Sequence, residues 1–572
     1  MALLFPPFAA GDLVWVVLLP LLAAVWTLGP QRRRRKAAAL GLLTGLAFFL
    51  INLSWLRTVS DAGWVALSLY LACFPAAWAL FAATLGNPWR LPDNVVAMPG
   101  VGQDRWRTSL RSLRLSFACA AVWTGLEWLR GWLFTGFGWN TLGVAFHETP
   151  VLAQSADLLG TTGLSLLPVF FQAVVLQAGR RLAAGARSGK LRPHFDFGVA
   201  ALLVAGATCY GVLRLATVGR GESIPLRALL VQLNIPQEAA RQLWSATDIH
   251  IGYEDETLAG LEAVLEDDRK RLEQAAENGD EGGVDLRTPD WIVWPETALT
   301  GWIFRTPSGN WGTSEDNHLT LERVRNEGAF TIVTGVTEVE SEDGPAGPRM
   351  VRDARRWNTL ATLAPDGGLS MFRKRHLVIF GEYIPFVEQL PFLARIYEQQ
   401  AGAPYTGAFS VGDSLEPLAL ELRGEKIGVI PSVCFEDTVP RLLRKFVRDG
   451  PQVIVNVTND GWFKESPGAL QHFANARFRA IELRRPMLRC ANQGVTAAIT
   501  ATGTTLHPTT GEKQVLLDAA GSPFTRGHLL AELAIPRDPG FSLYARIGDW
   551  GVIVLALVGL CCGVRQGGGR PV

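Results

Sequence analysis

Seven apolar stretches constrain this chain more than any other feature, each approaching the ~20 residues that a helix needs to cross a bilayer. They lie near 12–29, 37–57, 62–85, 115–134, 160–178, 197–216 and 548–564. The first carries Asp12 at its edge. The fourth contains Glu127 and Arg130, whose charges are costly in lipid and belong against protein or water. Lys and Arg in the connections set the orientation, because basic connections stay in the cytoplasm. QRRRRK at 31–36, the segment 86–114 with Arg90, Arg105, Arg107, Arg111 and Arg114, the segment 179–194 with Arg180, Arg181, Arg187, Lys190 and Arg192, and the tail with Arg565 and Arg570 are all basic. The connections at 58–61 and 135–159 are poor in both residues. This alternation predicts transmembrane helices over 1–217, an extracytoplasmic segment over 218–547, and a last helix with a cytoplasmic tail over 548–572. The N-terminus then falls outside, without a visible signal peptide.

Composition agrees with two unlike parts. The chain is 48% apolar, with 19 Trp and 28 Phe, a content suited to contact with lipid. The net charge of +1 points to no partner, and the sequence has no nucleic-acid signature. Cys73, Cys119, Cys209, Cys561 and Cys562 lie in apolar runs and read as filler. Cys434 and Cys490 stand in the polar half, without metal-ligand spacing and without a CxxC, so no metal site is expected.

The outer segment, about 330 residues, is long enough for its own core. Strand-like runs occur at 226–232, 291–294, 330–336, 359–364, 426–432, 452–458 and 495–500, with helical text between them at 253–276 and 467–482. That alternation predicts an α/β domain. ENGDEGGVDLRTP at 277–289 reads as a solvated insertion.

Three residues at strand ends invite chemistry. Cys434 follows KIGVIPSV and opens CFED, as a nucleophile or as a small buried apolar residue. Glu296 in WPET sits on a stiff apolar base, where desolvation would raise its pKa and make it a usable base; the plainer alternative is an acid near a helix N-terminus. Lys374 in FRKRHLVIFGEYIP is a fixed cation for a thiolate or oxyanion, or part of a basic surface strand. His376 nearby leaves a Cys–His dyad open.

Taken together, WPET, KRHLVIFGE and VCFED in that order resemble the nitrilase (carbon–nitrogen hydrolase) superfamily. The resemblance implies an α-β-β-α sandwich in which Glu296 is the base, Lys374 the lysine and Cys434 the nucleophile, with His376 structural. Several spans before this domain and one after it, with LRGWLFTGFGWN, VQLNIPQ, TNDGWF, QHFANARFRAIELRRP and NQGVTAAI, are similar to the apolipoprotein N-acyltransferase family over nearly the whole chain. That family implies a polytopic α-helical membrane domain carrying the α/β domain on the periplasmic side of a bacterial inner membrane. It implies acyl transfer from a phospholipid, through a thioester on Cys434, to the N-terminal cysteine amine of a diacylglyceryl lipoprotein. The scheme is ping-pong and needs no cofactor. By the same motifs Glu382 and Glu436 are supporting acids, Trp244 matches a family tryptophan at longer spacing, and the Phe435 N–H joins Lys374 in holding the oxyanion. The apolar loop 383–410 is expected to act as a lid dipping into lipid.

Three departures from the family pattern stand out. Phe435 replaces a usual Tyr, and Ile379 a usual Pro. Seven spans stand where eight are usual, and ALLFPPF resembles the end of the first. The rival readings are a membrane-anchored nitrilase-like amidase or hydrolase, and a catalytically silent membrane scaffold.

Overall fold

The computed structural model describes residues 1–90, 103–187, 194–236, 244–278, 286–345, 347–401 and 407–567. Parts of the basic connections at 86–114 and 179–194, of the insertion at 277–289 and of the loop 383–410 lie outside them, as does Arg570. The chain divides into two compact units, one of Met1–Thr217 with Phe541–Val572 and one of Val218–Gly540.

The first unit is helical. Arg33–Asn52, Asp61–Ala83 and Phe195–Thr217 are each long and apolar enough to cross a membrane. Ala156–Leu164 and Leu166–Arg187 meet that test together, bent by 59°. Gly11–Thr27 and Trp550–Val564 are shorter apolar helices. Gln103–Arg130 has the length, but its first half holds Arg105, Arg107, Arg111 and Arg114, which lowers its apolar character. The count by length and composition is therefore smaller than the seven apolar stretches of the sequence. Arg33–Asn52 packs closely on Asp61–Ala83 because Gly41 has no side chain: a Cβ there would lie 2.5 Å from the Pro75 carbonyl oxygen. The two charges of the fourth stretch are indeed inside protein. Glu127 accepts the Leu142 N–H at 2.9 Å, and the Arg130 guanidinium lies 5.4 Å from the centre of the Phe49 ring.

The second unit holds two sheets. The first contains β1 (Ser223–Gln232), β2 (Trp291–Val293), β3 (Leu299–Arg305), β4 (Trp311–Thr313), β5 (Thr331–Gly344), β6 (Gly347–Met350), β7 (Arg356–Leu363), β8 (Leu369–Arg373) and β14 (Gly527–Pro536). The second contains β9 (Leu418–Leu422), β10 (Glu425–Val433), β11 (Gln452–Thr458), β12 (Met487–Ala491) and β13 (Ala497–Ile499), ordered β13-β12-β11-β10-β9. Their central strands pair in parallel, β1 to β2 to β5 and β10 to β11 to β12. Such strands are covered on both faces, which explains why β2 and β11 are buried at every position.

Helices Ala246–Glu277 and Glu315–Arg325 pack on the first sheet. Beneath them Leu229, Val231, Trp294 and Ile332 form part of one apolar cluster with Leu321 of the second helix. Cys490 marks the seam between the sheets: from β12 its Sγ donates to the carbonyls of Val231 at 3.3 Å and Val293 at 3.2 Å. It is a free thiol in a packed interior.

Candidate active site

The candidate residues converge because three strands end at one place. β2 ends just before Trp294 and Pro295, and Glu296 follows; β8 ends at Arg373, next to Lys374; β10 ends at Val433, next to Cys434. Gly335 lets β5 come close beside the first of these ends, since a Cβ there would sit 2.5 Å from the Glu296 Cα. Cys434 has φ 53°, and Thr297, just after Glu296, has φ 57°. Left-handed backbone at a non-glycine residue costs ~1–3 kcal/mol and persists where surrounding structure holds it. At Cys434 the hold is visible: Asn456 Nδ2 donates to the Cys434 carbonyl at 3.1 Å and to Ser432 Oγ at 3.0 Å. The chain then winds into the single turn Cys434–Thr438.

Lys374 is the electrostatic centre. Its Nζ lies 3.0 Å from Glu382 and 3.8 Å from Glu296 Oε1, and the side chain is 1% exposed. Asn358 on β7 ties the two acids together, donating from Nδ2 to Glu296 Oε1 at 2.7 Å and to Glu382 Oε1 at 2.8 Å. Glu296 Oε2 accepts the Asn459 N–H at 2.9 Å, and Glu382 Oε2 the Val378 N–H at 2.8 Å. Burial pulls the Lys374 ammonium down, but the charges of Glu382, Cys434, Glu296 and Glu436 outweigh it, and its pKa rises above the ordinary lysine value. Burial raises the Glu296 carboxyl, with Glu382 adding to the rise and Lys374, Asn358 and Cys434 opposing it. The Cys434 thiol is pushed well up by burial and by Glu296, against Lys374. The resting pair is thus a protonated thiol beside a carboxylate whose basicity is enhanced, next to a fixed cation.

Glu436 braces the same corner from below. It is fully buried and accepts the N–H groups of Arg375 at 2.8 Å, His376 at 2.9 Å and Val433 at 2.9 Å, so it joins the Lys374 segment to the Cys434 turn. Burial pushes its carboxyl up to about 7, against Lys374 and the backbone donors. The His376 ring stacks on Phe435 at 5.9 Å. Burial, with Arg441 and Lys374, pushes its pKa down to about 4, so the ring is neutral at ordinary pH. Trp244 is packed against the apolar cluster of the first sheet. Asn358 and the Asn459 N–H were not singled out in the sequence. WNTL and TND gave no hint that these two groups would point at a shared carboxylate.

Residues 237–520 match the carbon–nitrogen hydrolase family, and residues 1–174 match the apolipoprotein N-acyltransferase N-terminal domain. The second unit is thus a carbon–nitrogen hydrolase domain, the enzyme class of the nitrilase superfamily. A solved amidase of that superfamily from Nesterenkonia AN1 is 15% identical, covering 58% of this chain and 97% of its own, with a TM-score of 0.29. Two curated relatives are named apolipoprotein N-acyltransferase. The one from Brucella suis is 30% identical over 564 residues, 97% of this chain and 91% of its own. The one from Geobacter metallireducens is 30% identical over 511 residues, 88% and 84%. The chain belongs to the apolipoprotein N-acyltransferase family. It is accordingly a membrane protein and an acyltransferase.

Proposed function

We propose that this protein transfers a fatty acyl chain from a phospholipid to the α-amine of the N-terminal cysteine of a diacylglyceryl lipoprotein, by way of a thioester on Cys434. The carrying observation is the buried Lys374 set between Glu296 and Glu382 beside Cys434. In this reading 1–217 and 548–572 span a bacterial inner membrane and 218–547 faces the periplasm.

Glu296 takes the Cys434 proton as Sγ attacks the ester carbonyl carbon. Lys374 Nζ and the Phe435 N–H hold the oxyanion. The ester C–O bond breaks, Glu296 returns the proton to the departing alkoxide, and a lysophospholipid leaves. The lipoprotein amine then attacks the thioester and gives a proton to Glu296. The C–S bond breaks, and the sulfur recovers that proton. Glu382 holds Lys374, Glu436 braces both strand ends, and Trp244 supports the domain core. No metal or cofactor enters.

Access from lipid favours transfer over hydrolysis. Phe380, Phe386, Leu390 and Phe392 follow Lys374 in the chain and are 58%, 71%, 43% and 53% exposed. Such side chains are stable outside water, which suits a lid that dips into the bilayer and admits acyl chains. The test uses membranes, labelled phospholipid and a diacylated lipopeptide. Amide product supports the proposal. Free fatty acid without amide supports the membrane-anchored amidase or hydrolase, and neither product supports a scaffold.

Two further outcomes are expected. Asn358→Ala removes the donor shared by Glu296 and Glu382; charge-assisted hydrogen bonds of this kind are worth ~1.5–3 kcal/mol, so kcat falls roughly 10- to 150-fold with KM little changed. An unchanged kcat would remove Asn358 from the site. Acylation should also decline as pH falls through about 7, where a proton on one Glu436 oxygen weakens its hold on the three N–H groups. The stability linkage has the opposite sign: a raised carboxyl pKa favours the folded state below the ordinary Glu value and loses that benefit as pH rises through about 7. Rate and melting temperature measured from pH 5 to pH 8 should therefore diverge, and Glu436→Gln should flatten this acid limb.

A further inference from the structure

Behind the nucleophile turn lies a second ionic group that the reaction above does not use. His472, on helix Pro467–Ala476, has a carboxylate at each ring nitrogen: Nδ1 is 2.7 Å from Asp460 Oδ1 and Nε2 is 2.7 Å from Asp437 Oδ1. An ionised carboxylate only accepts, so both nitrogens donate and the ring is an imidazolium. Arg489 on β12 closes the group, with Nη2 3.0 Å from Asp460 Oδ2 and Nε 3.3 Å from Asp437 Oδ2. Arg489 Nη2 also lies 3.1 Å from His472 Nδ1, and Nη1 donates to the Val495 carbonyl at 2.7 Å. All four side chains are fully buried, and their charges sum to zero.

The placement gives the group a task. Asp437 belongs to the turn that starts at Cys434, and Asp460 directly follows Asn459, whose N–H holds Glu296. The quartet therefore bolts the nucleophile's turn to the segment that fixes the base. Asp460 also acts electrostatically on Cys434, in the direction that disfavours a thiolate. Other groups facing the quartet include Thr458, whose Oγ1 donates to Asp460 Oδ1 at 3.3 Å, the Phe463 ring, edge-on to His472 at 6.2 Å, and Arg479, whose Nη1 is 3.5 Å from the Asp437 carbonyl and whose Nε pairs with Glu482.

We propose that His472 is a positioning residue for the acyl transfer: as a cation it locks the Cys434–Thr438 turn to the Asn459–Asp460 segment and cancels the Asp460 charge felt by Cys434. This rests on the reading of Cys434 as nucleophile and Glu296 as base. Burial acts to lower the imidazolium pKa, but Asp437 and Asp460 outweigh it and raise it to about 9. The contribution is complete below the ordinary histidine value and is lost as pH rises through about 9.

The test uses full-length protein in detergent and follows Cys434 alkylation by iodoacetamide against pH, together with acylation kinetics. His472→Gln leaves two carboxylates against one Arg. At about pH 8, where the His472 ring is still charged, Cys434 alkylation should slow about tenfold, and kcat should fall roughly 10- to 100-fold with phospholipid KM within about twofold. Asp437→Asn/His472→Gln restores neutrality and should recover most of the lost alkylation rate at that pH. A His472→Gln variant with the wild-type alkylation profile, or a double variant as impaired as the single one, would overturn the proposal. Nitrogen NMR of histidine-labelled wild type needs no substitution to fold: one ring doubly protonated at about pH 8 is expected, and every ring neutral there overturns it. Alkylation requires no lipid, so a wild type that alkylates as described but makes no amide would fail the acyl-transfer reading and leave the quartet standing.

Discussion

Cys434→Ala is expected to yield a folded protein that never carries an acyl adduct and whose lipopeptide acylation drops by on the order of 10⁴-fold or more. The fold should survive because Ala keeps the Cβ, so the left-handed φ of 53° costs no more than before. The other thiol of the domain offers no substitute. Cys490 is fully buried between the sheets, its Sγ already donates to two carbonyls, and burial pushes its pKa up. Intact-protein mass spectrometry after incubation with phospholipid reads the adduct directly. Normal turnover by the alanine variant would sink the thioester.

Glu296→Gln carries the second large effect, a fall in acylation of ~10²–10⁴-fold. Two donors, Asn358 Nδ2 and the Asn459 N–H, each end on a different carboxylate oxygen. A glutamine has one acceptor oxygen to offer, so one donor loses its partner at ~1–3 kcal/mol, a loss that a domain of this size should absorb. The thiol supplies a cross-check with the opposite sign. Glu296 holds the Cys434 pKa up, so removing its charge should move Cys434 alkylation to lower pH even as acylation collapses. Slower acylation of a more readily ionised thiol is what loss of a proton acceptor looks like. A variant that still accumulates thioester at the wild-type rate would contradict the base assignment.

How much of this was legible in the sequence depended on how local each signal was. β2, β10 and β11 were readable because central parallel strands are continuous apolar runs, and Glu296 and Cys434 sit where two such runs stop, whereas Lys374 follows the antiparallel β8, whose LSMFR has no such run. β12 was hidden because MLRCA carries Arg489 in mid-strand, a charge that makes sense only once Asp437 and Asp460 are beside it. β14 and the short β3 and β4 lacked either alternation or a long apolar run. Glu382 and Glu436 came from motif resemblance alone, since the contacts of Glu382 to Lys374 and of Glu436 to the Arg375 and His376 N–H groups join residues apart in the chain and leave no local signal. Asn358 stayed out of sight because its two partners lie 62 and 24 residues away along the chain. The apolar stretches were plain, but their division into helices was not: breaks at the first and fifth stretches depend on packing within the helical unit.

That helical unit is assembled from two stretches of the polypeptide that the second unit separates. Trp550–Gly567 packs on Gln103–Arg130, with Gly559 against Ala121 and Gly125 against Ala556 at distances that leave no room for larger side chains. A ribosome that has released the earlier partner must still make the whole of Val218–Gly540 before the later one emerges. At ~5–20 residues per second this is a wait of roughly a quarter to one minute. During that interval the groove of small residues on Gln103–Arg130 has no helix to fill it, so biogenesis has a vulnerable window. Quality-control proteases and insertion chaperones would meet the nascent chain there, and premature termination anywhere in the second unit would leave the membrane unit permanently short of its closing helix.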